Sequence, residues 1–148
     1  MIRIIFLLCV FIITFYGTAY AHIFKGEHIN WAQEDIPKIE TYFKKPLDKI
    51  LLIQIVSTRK AYYDELIRYK IPDAAKLSRT SYAVTSAGNV ILINSEELNR
   101  KHFSFILAHE MTHQYQIEKY GAIILKERSW MEKDADYHAK RISGYNKH

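Results

Sequence analysis

The stretch His109-Glu110-Met111-Thr112-His113 follows the apolar-rich run Phe103-Ser104-Phe105-Ile106-Leu107-Ala108 and constrains this chain more than any other feature. On a helix, residues four apart lie one above the other, so His109 and His113 project together from one face. Glu110 is turned by roughly 100° from His109, because a helix completes a turn in 3.6 residues. It reaches the space beside the two rings without being stacked with them. Whatever else the chain builds must leave that face of that helix open to further polar groups. The plain alternative is a helix that carries two histidines by coincidence.

Two imidazoles held in this way can grip one Zn²⁺ at the usual Zn–N distance of about 2.0–2.1 Å. A carboxylate beside them can act as base toward a water, the division of labour that hydrolysis requires. Catalytic zinc sites take three protein ligands and keep one position open. A third histidine six residues after His113 is absent, since Lys119 stands there, and Gln116 occupies the place where the metzincin pattern has glycine. Downstream stands Trp130-Met131-Glu132-Lys133-Asp134-Ala135-Asp136. Glu132 and Asp136 are four apart and face the same way on a helix. Glu132 can be the third ligand, and Asp136 can accept a hydrogen bond from the far ring nitrogen of a ligand histidine, fixing its tautomer. Ser129-x-x-Glu132 also matches a capping box, in which the glutamate folds back onto its own helix end and binds nothing. Both readings of Glu132 stand on the sequence alone.

The combination His109-Glu110-x-x-His113, eighteen intervening residues, then Glu132-x-x-Ala135-Asp136 resembles the gluzincins, the thermolysin-like zinc peptidases. The likeness is to their small one-domain members and to the membrane-associated type with a Glu-x-x-Ala-Asp helix, and it covers roughly residues 50–140. The resemblance implies an α+β fold: a small mixed or antiparallel sheet whose hairpin edge packs on an active-site helix, with a glutamate helix at the C-terminal end. It implies His109, His113 and Glu132 as Zn²⁺ ligands, Glu110 as catalytic base and Asp136 behind a ligand. It also implies a hairpin strand from Ser81 to Thr85, with Ser81, Tyr82, Ala83 and Val84 along it, as the edge that holds an extended peptide or protein substrate. Larger gluzincins add a C-terminal subdomain with an oxyanion-stabilising His, Tyr or Arg, and only twelve residues follow Asp136 here. Tyr120 is the candidate nearest the last helix, whereas the helical angles of Tyr137 and His138 point them away from Glu132. A zinc-holding but inactive surface module that binds a partner, and an exported domain with no metal, are the two competing functions.

The 148 residues suffice for one small domain. Met1-Ile2-Arg3, the apolar run Ile4 to Tyr16 and Gly17-Thr18-Ala19-Tyr20-Ala21 together read as a secretory signal ending in A-x-A. The run is short for a membrane span of about 20 residues, so an uncleaved anchor, and with it membrane association, ranks second. The domain proper is then residues 22–148, exported and monomeric. The single cysteine, Cys9, would leave with the signal, so no disulfide can stabilise that domain. The net charge of +5 and pI near 9.2 suit solubility or attraction to anionic surfaces and not a binding site. Lys and Arg are interspersed with Asp and Glu rather than gathered into a stripe, which argues against nucleic acid.

The other elements follow from local signals. Pro37 restricts the first helix to about Ile36–Lys44, because proline belongs in a first turn. Residues 22–49 are otherwise mixed and have the length to serve as a propeptide or a cover over the cleft, though nothing in their composition demands either. Ile50 to Val56 is an apolar β-rich run, a buried central strand, and Ser57 or Thr58 caps a helix from Lys60 to Lys70. Thr80–Val84 and Val90–Ile93, joined across Gly88-Asn89, read as a hairpin. Asn94 or Ser95 is placed to cap a helix carrying Glu96 and Glu97. The metal helix spans about His102–Tyr120 and stops at Gly121. A last helix runs about Ser129–Ile142, ending at Gly144. His22, His28, His102 and His148 are assigned no chemical role; His102 is placed to line the cleft.

Overall fold

In a computed structural model of the chain, residues 22–86, 88–121 and 128–145 are described. The proposed signal segment, Cys9 and His148 lie outside them. The order is β1 (Ile23–Gly26), α1 (Ile29–Phe43), β2 (Leu52–Val56), α2 (Arg59–Arg68), α3 (Ala74–Thr80), β3 (Ala83–Ser86), β4 (Val90–Asn94), α4 (Arg100–Tyr120) and α5 (Arg128–Ser143). The fold is α+β, with a four-stranded mixed sheet in the order β1-β2-β4-β3. Parallel pairing joins β1 to β2 and β2 to β4, and β3 runs antiparallel to β4, with Ala83 opposite Ile93 and Ser86 opposite Val90. Among the described residues no helix is long and apolar enough to cross a membrane.

Helices cover both faces of the sheet, which is why its inner strands are apolar in succession rather than in alternation. Ile53, Ile55, Ile91 and Ile93 share one core with Ala32, Ile36 and Ile39 of α1, Phe103, Leu107 and Met111 of α4, and Ala139 of α5. Leu92, between two of them, turns the other way to meet Tyr62 and Leu66 of α2 and Ala74 of α3. The central strand and the hairpin are thus where the apolar runs placed them.

Elsewhere tertiary packing overrode the local signals. The first helix begins at Ile29, seven residues before the expected Ile36, and contains Pro37 well inside it. An interior proline costs about 3 kcal/mol. Here it lies on the exposed side, while Ala32, Ile36 and Ile39 are buried on the other, which outweighs that penalty. Consequently residues 22–49 supply a strand and a helix of the main core rather than a detachable cover. Strand β1 and helix α3 were not anticipated. Gly26 ends β1 at φ +102°, and a Cβ there would fall 1.7 Å from the Ile55 carbonyl oxygen, so only glycine permits this approach of β1 to β2. No helix starts at Asn94 or Ser95. The Asn94 side chain instead accepts from the Glu96 backbone N–H at 3.1 Å, and Glu97 adopts a left-handed φ of 65°. The Glu96 carboxylate accepts from the Arg59 backbone N–H at 2.7 Å and thus serves the start of α2.

The capping of α4 falls to Asn99, whose side chain accepts from the His102 backbone N–H at 2.8 Å. The Arg100 guanidinium grips Asp35 of α1 with two hydrogen bonds of 2.6 and 2.8 Å, and the Ser104 hydroxyl donates to the same carboxylate at 2.6 Å. Burial pushes the Asp35 carboxyl up, but these donors outweigh it and hold it below its usual range. Asp35→Ala removes the principal partner of a half-buried guanidinium, leaving it only the exposed Glu34 carboxylate at 3.1 Å among its ion pairs. We expect it to lower stability by about 2–3 kcal/mol in chemical denaturation at pH 7. Because the folded pKa is depressed, Asp35 contributes stability above about pH 4 that is lost as pH falls through its folded value. The gap between wild type and variant should therefore close in acid.

Candidate metal centre

Helix α4 is about 31 Å long at 1.5 Å per residue and is buried along its middle, with Ala108, Met111 and Thr112 essentially inaccessible. Gly121 stops it as expected, its N–H closing on the Ile117 carbonyl at 2.8 Å. Helix α5 lies along α4 through Met131, Ala135 and Ala139, spaced four apart on one stripe. The two alanines have no bulk to hold the helices apart. Glu132 and Asp136, flanking Ala135, are thereby carried to the histidine face of α4.

The structure brings the expected cluster together. His109 Nε2 and His113 Nε2 are 3.0 Å apart; Glu132 Oε2 is 3.2 Å from the first and Glu132 Oε1 3.5 Å from the second. Glu132 is thus turned toward both rings and not back onto its own helix end. Donor atoms about 2.0–2.1 Å from a tetrahedral zinc would stand roughly 3.3 Å from one another. The observed spacings bracket that value. His109, His113 and Glu132 form a group that could hold a metal ion.

The far ring nitrogens support the same conclusion. His109 Nδ1 is 2.9 Å from Asp136 Oδ1, where Asp136 was expected, and His113 Nδ1 is 2.8 Å from Gln116 Oε1. With both Nδ1 atoms donating to acceptors, both Nε2 atoms turn lone pairs toward each other and toward a carboxylate. Two ring nitrogens, each faced by one oxygen of the Glu132 carboxylate at this separation, call for a cation between them, either a metal ion or a proton. The same contacts set the electrostatics of the cluster. Burial pushes the His113 imidazole down, but the Glu132 carboxylate, helped by Glu110, outweighs it and moves the ring up to about 9. His109 is raised by the same two carboxylates against its own burial, and the two rings hold Glu132 far below the ordinary carboxylate range.

Glu110 is 8% exposed, and its charge is felt by both rings. Its backbone oxygen accepts from the Thr85 hydroxyl at 3.0 Å, and Gln114 Nε2 donates to the Ser86 carbonyl at 3.1 Å. These two bonds fix edge strand β3 against α4 beside Glu110. The expected substrate strand is shifted by this anchoring: it spans Ala83–Ser86, so Ala83 and Val84 belong to it while Ser81 and Tyr82 precede it. The Ser81 side chain accepts from the Ala83 backbone N–H, turning the chain into the strand. Gln114 and Gln116 were the polar residues to which pattern reading gave no role, and Thr85 had been placed only at the end of the substrate edge. Gln116 was legible in part, being three residues after His113 and therefore on its face.

Tyr120, the oxyanion candidate, and Tyr137 and His138, which were set aside on helical angle, have other partners. The Tyr120 ring meets Trp130 edge-on at 5.6 Å, His138 pairs with Tyr42 at 2.9 Å, and Tyr137 receives a hydrogen bond from Arg141. His102 stacks on Tyr145 at 5.0 Å, and Phe105, between them and His109, lies 6.2 Å from the His109 ring. Comparisons with protein-family models, with curated proteins and with solved structures found no match.

Proposed function

We propose that this protein is an exported zinc-dependent peptidase of the gluzincin type. The observation that carries the proposal is the convergence of His109, His113 and Glu132 within 3.0–3.5 Å beside the buried Glu110. His109, His113 and Glu132 would hold a zinc ion, which when bound would supply Lewis acidity to a water, whose pKa would fall toward about 7, and to a carbonyl. Glu110 takes a proton from the attacking water as its oxygen bonds to the scissile carbonyl carbon. It then delivers that proton to the departing amine as the C–N bond breaks. Asp136 and Gln116 keep each imidazole in the tautomer that offers Nε2. Edge strand β3 has β4 as its sheet neighbour on one side, and an extended peptide can add along the other by backbone pairing. The Thr85 and Gln114 anchors would hold such a peptide in register with Glu110.

The test is turnover of a broad peptide library by the purified chain with and without one equivalent of zinc. Cleavage that disappears with a chelator and returns with zinc is the expected result. Tightly bound zinc with no cleavage of any peptide would instead favour the inactive surface module.

A further inference from the structure

We infer that Gln116 is the positioning residue for His113, and that one stretch of α5, Met131 to Asp136, sets the orientation of both ligand rings as well as supplying the third ligand. The inference rests on the metal-binding reading above but not on catalysis. Gln116 is 4% exposed, so its partners are protein atoms. Its Nε2 lies 3.2 Å from the Met131 carbonyl oxygen and 2.8 Å from Asp134 Oδ2. A backbone carbonyl can only accept, so the Gln116 atom facing it must be the amide nitrogen. The two ends of a side-chain amide look alike in shape, and here the Met131 carbonyl decides between them. The amide oxygen is then left facing His113 Nδ1, which must carry the ring proton. In the neutral ring, the form a metal binds, His113 Nε2 is consequently bare and aimed at Glu132 and His109.

Each step in this sequence is dictated by what a group can donate or accept. A reversed amide would set its oxygen against two acceptors and its NH₂ against His113, favouring the tautomer with the proton on Nε2, where the metal must bind. Asp136 performs the same office for His109 directly. Asp134 is itself held, with Oδ1 3.4 Å from His138 Nε2, and His138 Nδ1 is 2.9 Å from the Tyr42 hydroxyl of α1. Glu132, Asp134 and Asp136 thus act on three different points of the centre: as ligand, through Gln116 on His113, and on His109.

The test uses the full chain with Gln116→Leu, a substitution of similar volume. It reads three quantities: zinc affinity in competition with a chromophoric chelator, metal-free melting temperature, and water exchange of the His113 Nδ1–H by nitrogen-15 NMR in the zinc-loaded protein. We expect zinc binding about 10–100-fold weaker and a slowly exchanging Nδ1–H proton in wild type that exchanges rapidly in the variant. Asp134→Ala, at a side chain 31% exposed, leaves no buried cavity and should move both readings the same way by less. It carries the test should Gln116→Leu not fold. Zinc affinity within twofold of wild type in a folded variant, with the slow proton retained, overturns the inference. None of the three measurements needs turnover, and the melting temperature serves to show that each variant folds. Zinc binding weakened by Gln116→Leu in a protein that cleaves nothing removes the peptidase reading alone, whereas peptidase activity with unchanged zinc affinity in the variant removes this one alone.

Discussion

Glu110→Gln is expected to reduce peptide hydrolysis by about 10²–10⁴-fold, the usual worth of a positioned general base, while leaving one zinc bound per chain. Glutamine keeps the shape of the buried side chain and loses its charge, and with it the capacity to take a proton. The anchoring of β3 is spared, because Thr85 bonds to the backbone oxygen of residue 110 and not to its side chain. The three ligand atoms are also untouched. The variant therefore separates base catalysis from metal binding, and the comparison needs zinc stoichiometry and kcat on one peptide measured side by side. If Glu110 were only a packed helical residue, the amide would serve as well as the acid and kcat would not change.

How much of this centre was legible in the sequence depends on whether each part is local. His109, Glu110 and His113 were readable because helical spacing alone places them, and Glu132 with Asp136 for the same reason. What the spacing could not settle was whether Glu132 folds back as a cap. That is decided by α5 lying close along α4 through Ala135 and Ala139, a property of two helices together. Gln116 illustrates the same limit: its position on the His113 face is local, but its role needs the Met131 carbonyl from another helix. In the fold, β2 and the hairpin stand out as apolar β-rich runs. Strand β1 does not, since its four residues are mostly exposed and gain their place by parallel pairing with a strand some thirty residues away. Helix α1 was cut short by a rule about Pro37 that holds for isolated helices and yields here to a buried stripe. The segment after β4 looked like a helix start because Asn94 is a good cap. An asparagine can equally bond two residues ahead and turn the chain, and the left-handed Glu97 fixes that outcome.

The largest effect on the metal itself should come from Glu132→Ala. Loss of a residue behind a ligand weakens binding about 10–100-fold, so loss of the ligand carboxylate should exceed about 100-fold. The side chain is 60% exposed, so its removal leaves no buried cavity and the fold should persist. Proton linkage gives a second reading on the same variant. In the metal-free chain His113 titrates near 9, above the ordinary histidine value of about 6.5. Its pairing with Glu132 therefore contributes stability that is complete below about pH 6.5 and is lost as pH rises through about 9. Zinc demands the opposite protonation state, since it binds only neutral imidazole. Its affinity should climb over that same window, and the melting temperature gained on adding zinc should widen from pH 6.5 to pH 9. In Glu132→Ala the carboxylate that raises His113 is gone. The ring titrates lower, the metal-free stability flattens above about pH 7, and the zinc-induced shift nearly vanishes at every pH. Wild-type zinc affinity in this variant would mean that the ion is held by other groups, and the assignment of the centre to α4 and α5 together would have to be abandoned.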